Sequence, residues 1–393
     1  MEGRPHPGLA ALTLTAGLWF LGKFLRYVFP PLFEPLQTVY QVDNATIGFA
    51  FTGFMICYAA MQFPAGILGD RFGTVRVVAL GGAIAGISAM SLIVEAGFAL
   101  LVAVMLVIGA GTGMHKTVAV TLLMNTYRDR PGRALGIHDT VGAGAGILAP
   151  IAAVGALGVV GWRPVFLVAG MVCLSLGVLV GTYLPRRLPE GVGRASVERA
   201  SPPMVRYFTL FRRPRFTLFA IVTLLFAFTY NGVVAFLPLY LTDVAGLSVG
   251  MAGVLYSLLF GVTFVQLVTG DLSDRTGRLP VILGCLLAGL AGMAVLVTST
   301  TTLVLALAVL AFGLGGHGYR PVRDAYLASI LPDSVEGGGL GIVRTVLMAA
   351  GAAAPAIVGV LADAMSFRVA FSVLGLAVVG AILATAVLLL TAE

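Results

Sequence analysis

Charge is what this chain has least of. Only 10% of its 393 residues are Asp, Glu, Lys or Arg, against 59% apolar residues and a mean hydropathy of +1.02. No water-soluble domain covers its surface with so little polarity, so the composition places the chain in a bilayer. Cysteine is equally sparse. Cys57, Cys173 and Cys285 all fall within apolar runs, which reads as three small buried hydrophobes and excludes a disulfide framework or thiolate metal set. The chain has no Walker loop, no H-E-x-x-H and no polar stretch long enough for a separate domain. Gly142-x-Gly144-x-Gly146 lies inside an apolar run and follows no strand, so it reads as close helix packing with a kink at Pro150. These absences exclude an enzyme and an ATP-driven pump, and they predict neither cofactor nor metal. Any transport must run on an ion or substrate gradient.

What is present is a series of apolar stretches, each near the roughly 20 residues that a spanning helix needs. Twelve are expected, near 9–31, 45–67, 75–95, 98–122, 134–160, 163–184, 216–240, 249–270, 279–298, 302–328, 338–361 and 368–391. The fold class is therefore an all-α membrane protein. With both termini taken as cytoplasmic, sixteen arginines face the cytoplasm, and only Arg163 and Arg368 lie in outside loops. That bias is the one that membrane insertion produces. It also accounts for the net charge of +7 without a nucleic-acid partner. The first span is too long for a cleavable signal peptide and lacks a small-residue cleavage site. The most polar segment, 185–214, reads as a cytoplasmic linker between bundles 1–184 and 215–393. Its Arg206–Arg215 end, carrying Tyr207, Phe208 and Phe211, is expected along the cytoplasmic leaflet.

One polar motif occurs twice. Gly66 to Gly73 and Gly270 to Gly277 both read G-x-L-x-D-R-x-G, and Asp70 and Asp274 stand 204 residues apart, half the chain. At that offset Gln62 matches Gln266, Arg26-Tyr27 falls opposite Tyr230-Asn231, and His115-Lys116 opposite Tyr319-Arg320. With one residue inserted, Leu135-Gly136-Ile137 pairs with Leu340-Gly341-Ile342 and Trp162-Arg163 with Phe367-Arg368. The chain is a duplication of two six-helix halves. Asp70, Arg71, Asp274 and Arg275 suit a latch at a helix terminus, and the glycines suit a tight turn.

Twelve spans in two halves, with this motif after the second and eighth, resemble the major facilitator superfamily of secondary transporters. Gly113-Met114-His115-Lys116 and Gly132-Arg133-Ala134-Leu135-Gly136-Ile137-His138 look most like its fosmidomycin-resistance-type permeases, which carry His-Pro at His115-Lys116. Arg26 in the first span is similar to that of organophosphate and organic-anion transporters. An arginine frequent in the fourth span and the Gly-Pro pair of the antiporter motif in the fifth are missing, which leaves the direction of transport open. The resemblance implies a fold of two pseudo-symmetric bundles, with spans 1, 4, 7 and 10 lining a central cavity.

Charges inside spans are expensive and mark function. Lys23, Arg26, Lys116, Arg320, Arg323 and Arg344 outnumber Asp139 and Asp324. An excess of cations in hydrocarbon is tolerable where it neutralises an anion, so the substrate is expected to be anionic. Given the implied cavity, Arg26, Lys116 and Arg320 are the expected anion contacts, with Lys23 on the face of Arg26. Tyr27, Tyr230, Asn231, Tyr319, Gln62 and Gln266 are candidate neutral donors. His115, His138 and Asp139 are candidates for proton coupling. Arg323, Asp324 and Arg344 read as gate or structural elements together with the twin motif. The expected protein is a monomeric secondary transporter of the inner membrane, moving a small organic or phosphorus-containing anion with protons by alternating access. Efflux of a toxic compound, anion exchange, and a receptor that binds without transport remain as alternatives.

Overall fold

The computed structural model describes residues 7–189, 191–193, 209–330 and 351–391. Hydrocarbon offers no water to backbone N–H and C=O groups, so a spanning segment must satisfy them within itself, and the helix does so. Every regular element among the described residues is accordingly helical. In chain order these are α1 (Pro7–Tyr27), α2 (Phe33–Tyr40), α3 (Asn44–Phe72), α4 (Thr74–Ser91), α5 (Phe98–Thr126), α6 (Pro131–Leu157) and α7 (Arg163–Thr182). Later in the chain come α8 (Pro214–Asp243), α9 (Val249–Gly261), α10 (Val265–Thr276), α11 (Arg278–Thr298), α12 (Thr302–Ile330), α13 (Ala354–Ala364) and α14 (Phe367–Leu390). Most of the expected linker, with Arg206, Tyr207 and Phe208, lies outside the described residues. Eleven helical stretches among the described residues are long and apolar enough to cross a membrane. The helix α13 is the end of the expected eleventh span, whose earlier part, with Arg344, lies outside the described residues. Polar side chains within spans follow the same constraint. Thr15, Thr112 and Thr385 donate their hydroxyls to the carbonyls of Ala11, Ile108 and Ala381 one turn earlier, at 2.7, 2.8 and 2.8 Å.

Three details differ from the expectation. The first span stops at Tyr27, because Pro30 and Pro31 bring no backbone N–H and form a short 3₁₀ turn before α2. The eighth span is broken at Val262–Phe264, where the Thr263 hydroxyl donates to Phe260 O at 2.5 Å and tightens the turn between α9 and α10. The twin motif is not a loop but the last turns of α3 and α10, and only its final glycines leave the helix. Gly73 (φ 95°) and Gly277 (φ 92°) adopt the same left-handed backbone and start α4 and α11. A β-branched side chain is excluded there. Arg71 and Arg275, in the last turns, complement the negative helix ends.

The chain divides into two compact units, Met1–Leu32 with Gly53–Arg199, and Phe33–Thr52 with Ala200–Glu393. In the first, α4 packs on α5 and α7, and α1 on α5, α6 and α7. In the second, α11 packs on α12 and α14, and α8 on α13 and α14. The duplication seen in the sequence is thus repeated in which helices neighbour which. Residues 33–52 come from the first sequence half, and the second unit anchors them by capping the start of α3. Asp363 accepts from Asn44 Nδ2 and from Ala45 N, both at 2.7 Å, while Asp43 accepts from Thr46 N at 2.8 Å. The Thr46 hydroxyl and backbone N–H hold the Asp43 carboxyl below its ordinary value. Two carboxylates at one helix N-terminus match its positive end.

The twin motif offers a direct check. Gly73→Val should destabilise the protein by about 1–2 kcal/mol, since a β-branched residue must take a left-handed backbone. Gly66→Ala should leave stability to thermal unfolding in detergent unchanged or raise it by up to about 1 kcal/mol, because Gly66 lies inside α3 and a Cβ there meets nothing within 4 Å.

Candidate functional site

In the first unit, a cluster forms where α1, α5 and α6 meet. Trp19 of α1 lies nearly parallel to His138 of α6 (ring centroids 5.7 Å apart, 10° between planes) and to His115 of α5 (6.2 Å, 18°). The two imidazoles are themselves 6.0 Å apart and within 16° of parallel. The chain has only two lysines, Lys23 and Lys116. Both hold their ammonium groups over this one indole, 4.9 and 4.6 Å from its centroid. Each such contact contributes about 0.5–2 kcal/mol.

Close helix packing makes this possible. A Cβ at Gly142 would come within 2.2 Å of Trp19 Cδ1 and 2.4 Å of Nε1, so the indole rests directly on the backbone of α6. Trp19, His115 and His138 are buried. The indole Nε1 and all four imidazole nitrogens have no hydrogen-bond partner among the described residues. Asp139 places Oδ1 3.7 Å from His138 Nδ1, with its own side chain 65% exposed. One turn along α1 from Lys23, the Arg26 guanidinium lies 5.5 Å from the Tyr27 ring and 6.0 Å from that of Tyr58 on α3. Gln62 is half-buried, one turn beyond Tyr58 on α3.

The second unit carries a related arrangement with different residues. Arg320 of α12 holds its guanidinium 4.5 Å from the Tyr230 ring of α8. His317, one turn before Arg320, stands edge-on to Tyr230 and to Phe260, and its Nδ1 lies 3.4 Å from the Thr263 hydroxyl. Tyr319 is fully buried, donates to the Thr223 hydroxyl at 3.3 Å and packs on Phe226. Its bonding describes a core residue. Asn231 is buried where residue 351 packs on α8, and Gln266 is half-buried on α10. Arg323 is 3% exposed and donates from Nε and Nη2 to Asp324 Oδ1, at 2.9 and 2.7 Å. Asp274 is exposed, and Arg275 pairs instead with Asp271 one turn earlier on α10, at 2.9 Å. Asp70, Arg71 and Arg275 are likewise exposed; Gly66 and Gly270 are half-buried.

The structure therefore brings Lys23, Lys116, His115, His138 and Asp139 together, and Arg320 with Tyr230. Reasoning from sequence passed over Trp19 and Tyr58, and counted His317 among the in-span histidines without giving it a role. Trp19 had a signal: it stands four residues before Lys23 and seven before Arg26, on one helix face. His317 had the same kind of signal, one turn before Arg320, whereas Tyr58 meets Arg26 from another helix.

Two helical units, each with cations held inside membrane-spanning segments, define a multi-pass membrane transport protein. The family model of the Major Facilitator Superfamily matches residues 15–318 and 248–393. The chain belongs to that family, and it is a transporter and not an enzyme. It is 26% identical over 280 residues to the 3-(3-hydroxy-phenyl)propionate transporter of Escherichia coli, covering 69% of this chain and 67% of that one. It is 26% identical to the hexuronate transporter of Bacillus subtilis, covering 84% of this chain and 82% of the relative. An efflux pump of Mycolicibacterium smegmatis is also 26% identical, over 95% of this chain and 88% of its own. The chain spans only 26% of the length of an uncharacterized Mycobacterium tuberculosis transporter of the same type that it also matches. Among solved structures, a bacterial homolog of the human lysosomal transporter Spinster superposes with a TM-score of 0.79 at 18% identity, covering 99% of this chain and 97% of that chain.

The two arginine pairs differ in burial and should differ in consequence. Asp324→Asn strands the buried Arg323 and should cost about 3 kcal/mol in thermal unfolding. Arg275→Ala removes a pair whose partners are 74% and 64% exposed, and should change stability by less than about 0.5 kcal/mol.

Proposed function

We propose that this transporter carries a small organic anion, a carboxylate or a phosphorus-containing acid, together with protons by alternating access. The observation that carries the reading is the convergence of the chain's only two lysines on Trp19, beside two buried imidazoles. Ammonium groups held on a π-face keep their charge, and one carboxylate, Asp139, stands within electrostatic reach of both, so positive charge remains in excess here. They are thereby set to receive an anion. Arg26, resting on Tyr27 and Tyr58, adds a planar donor that matches a carboxylate or phosphonate bidentately. In the second unit, Arg320 on Tyr230 is the corresponding cation. His115 and His138, joined by Asp139, are the groups that take up and release the proton. Two relatives are named for organic acids, a propionate and a hexuronate, in keeping with this reading. The arginine bias favours the cytoplasmic membrane with both termini inside.

Export is the second reading, favoured by the efflux pump matched over 95% of this chain. The two differ in direction, not in the charge of the site.

Reconstituted protein separates them. Under an inward proton gradient, uptake of labelled carboxylates and phosphonates should rise above that at equal pH, and Arg26→Gln should weaken anion binding by roughly 10- to 100-fold, the value of a charge-assisted bond. Exchange that ignores the pH gradient would remove proton coupling. Unchanged affinity in the Arg26 variant would remove that residue from the site.

A further inference from the structure

We propose that Trp19 is the element that links anion binding to histidine protonation, because one indole serves two ammonium groups and two imidazoles at once. The inference rests on the proton-coupled reading above and adds a residue to it.

The indole cannot retreat. Its edge is seated on Gly142, where even a Cβ would overlap it, and the side chain is buried. Its π-system attracts cations, and an imidazolium stacked on indole is favoured over neutral imidazole. In the structure, two ammonium groups already lie within 4.9 Å of the ring centre. Protonating His115 or His138 would add a third cation about one ring diameter away, where little water screens repulsion. An anion that draws Lys23 and Lys116 toward itself removes both the occupancy of the ring and the repulsion. Imidazolium then becomes the best remaining cation for the stack. Anion arrival thus favours protonation, and by reciprocity protonation favours the anion.

Few other charges act on this ring. Asp139 faces His138 from α6 and lies within electrostatic reach of Lys23 and Lys116 as well, so it offsets part of the positive charge on the ring. Arg26, further along α1, is directed to Tyr27 and Tyr58. Arg133 of α6 and Arg76 of α4 are exposed, and Arg163 of α7 pairs with Glu95 at 3.3 Å.

The chain has two tryptophans, so Trp162→Phe leaves Trp19 as the one indole reporter. In the full-length variant in lipid nanodiscs, emission should fall on acidification, since imidazolium quenches a stacked indole. Adding Lys23→Gln and Lys116→Gln should move that transition upward by about half a pH unit or more, as two competing cations are gone. A transition at unchanged pH would overturn the inference. Transport supplies the second arm, with 3-phenylpropionate and methylphosphonate as probes. Trp19→Phe keeps a ring and should retain the pH dependence of uptake, whereas Trp19→Leu should flatten it. A pH dependence in Trp19→Leu equal to that of the unaltered protein sinks the role of Trp19 but leaves proton coupling standing. Uptake independent of pH in the unaltered protein, with no quenching on acidification, sinks both.

Discussion

A cation inside a membrane has to be held by something, and this protein sets four half-buried cations against aromatic rings. Lys23 and Lys116 rest on Trp19, Arg26 on Tyr27 and Tyr58, and Arg320 on Tyr230. The choice of partner has a consequence. A carboxylate stabilises a cation more strongly but offsets its charge, as Asp139 does in part for the two lysines. A quadrupole lowers the cost of the charge and leaves it in place. Arg323 is the contrast: it is buried and paired with Asp324.

Those rings reach their cations only because helices approach closely. The Trp19 indole lies against the bare backbone at Gly142, so the spacing of α1 and α6 and the position of the ring are one constraint. Glycine spends helix stability to make that room. Packing against neighbouring helices restores it within the bilayer. The apolar helices are a platform for a few polar groups, and small residues set where those groups can go.

Both units use the same helix neighbours and the same left-handed glycine turn, yet they present different chemistry. The first unit gathers two lysines, two histidines and an aspartate around one indole, whereas the second sets an arginine and a histidine around one tyrosine. Duplication preserved what the backbone needs and left the inward-facing positions free to diverge. This asymmetry is where discrimination between substrates resides in the proposed function.

Much of this was legible in the linear chain. Spans follow from runs of apolar residues, because bilayer thickness sets their length. The duplication follows from a motif repeated at constant offset, and the excess of cations over acids within spans is read directly from residue order. Local exceptions were harder: the break at Val262–Phe264 and the helical course of the twin motif turn on single hydrogen bonds and on backbone angles at one glycine. The sequence by itself determined the helical class and the surplus of positive charge within spans, since those depend on composition and order alone. Only the tertiary structure decided which ring each cation rests on, and that Asp271 rather than Asp274 takes Arg275. Lys116 and Arg320 find their rings on other helices, where packing and not spacing sets the distance. Trp19 with Lys23 and Asp271 with Arg275 are one turn apart, so there the structure chose among partners that helical spacing allows.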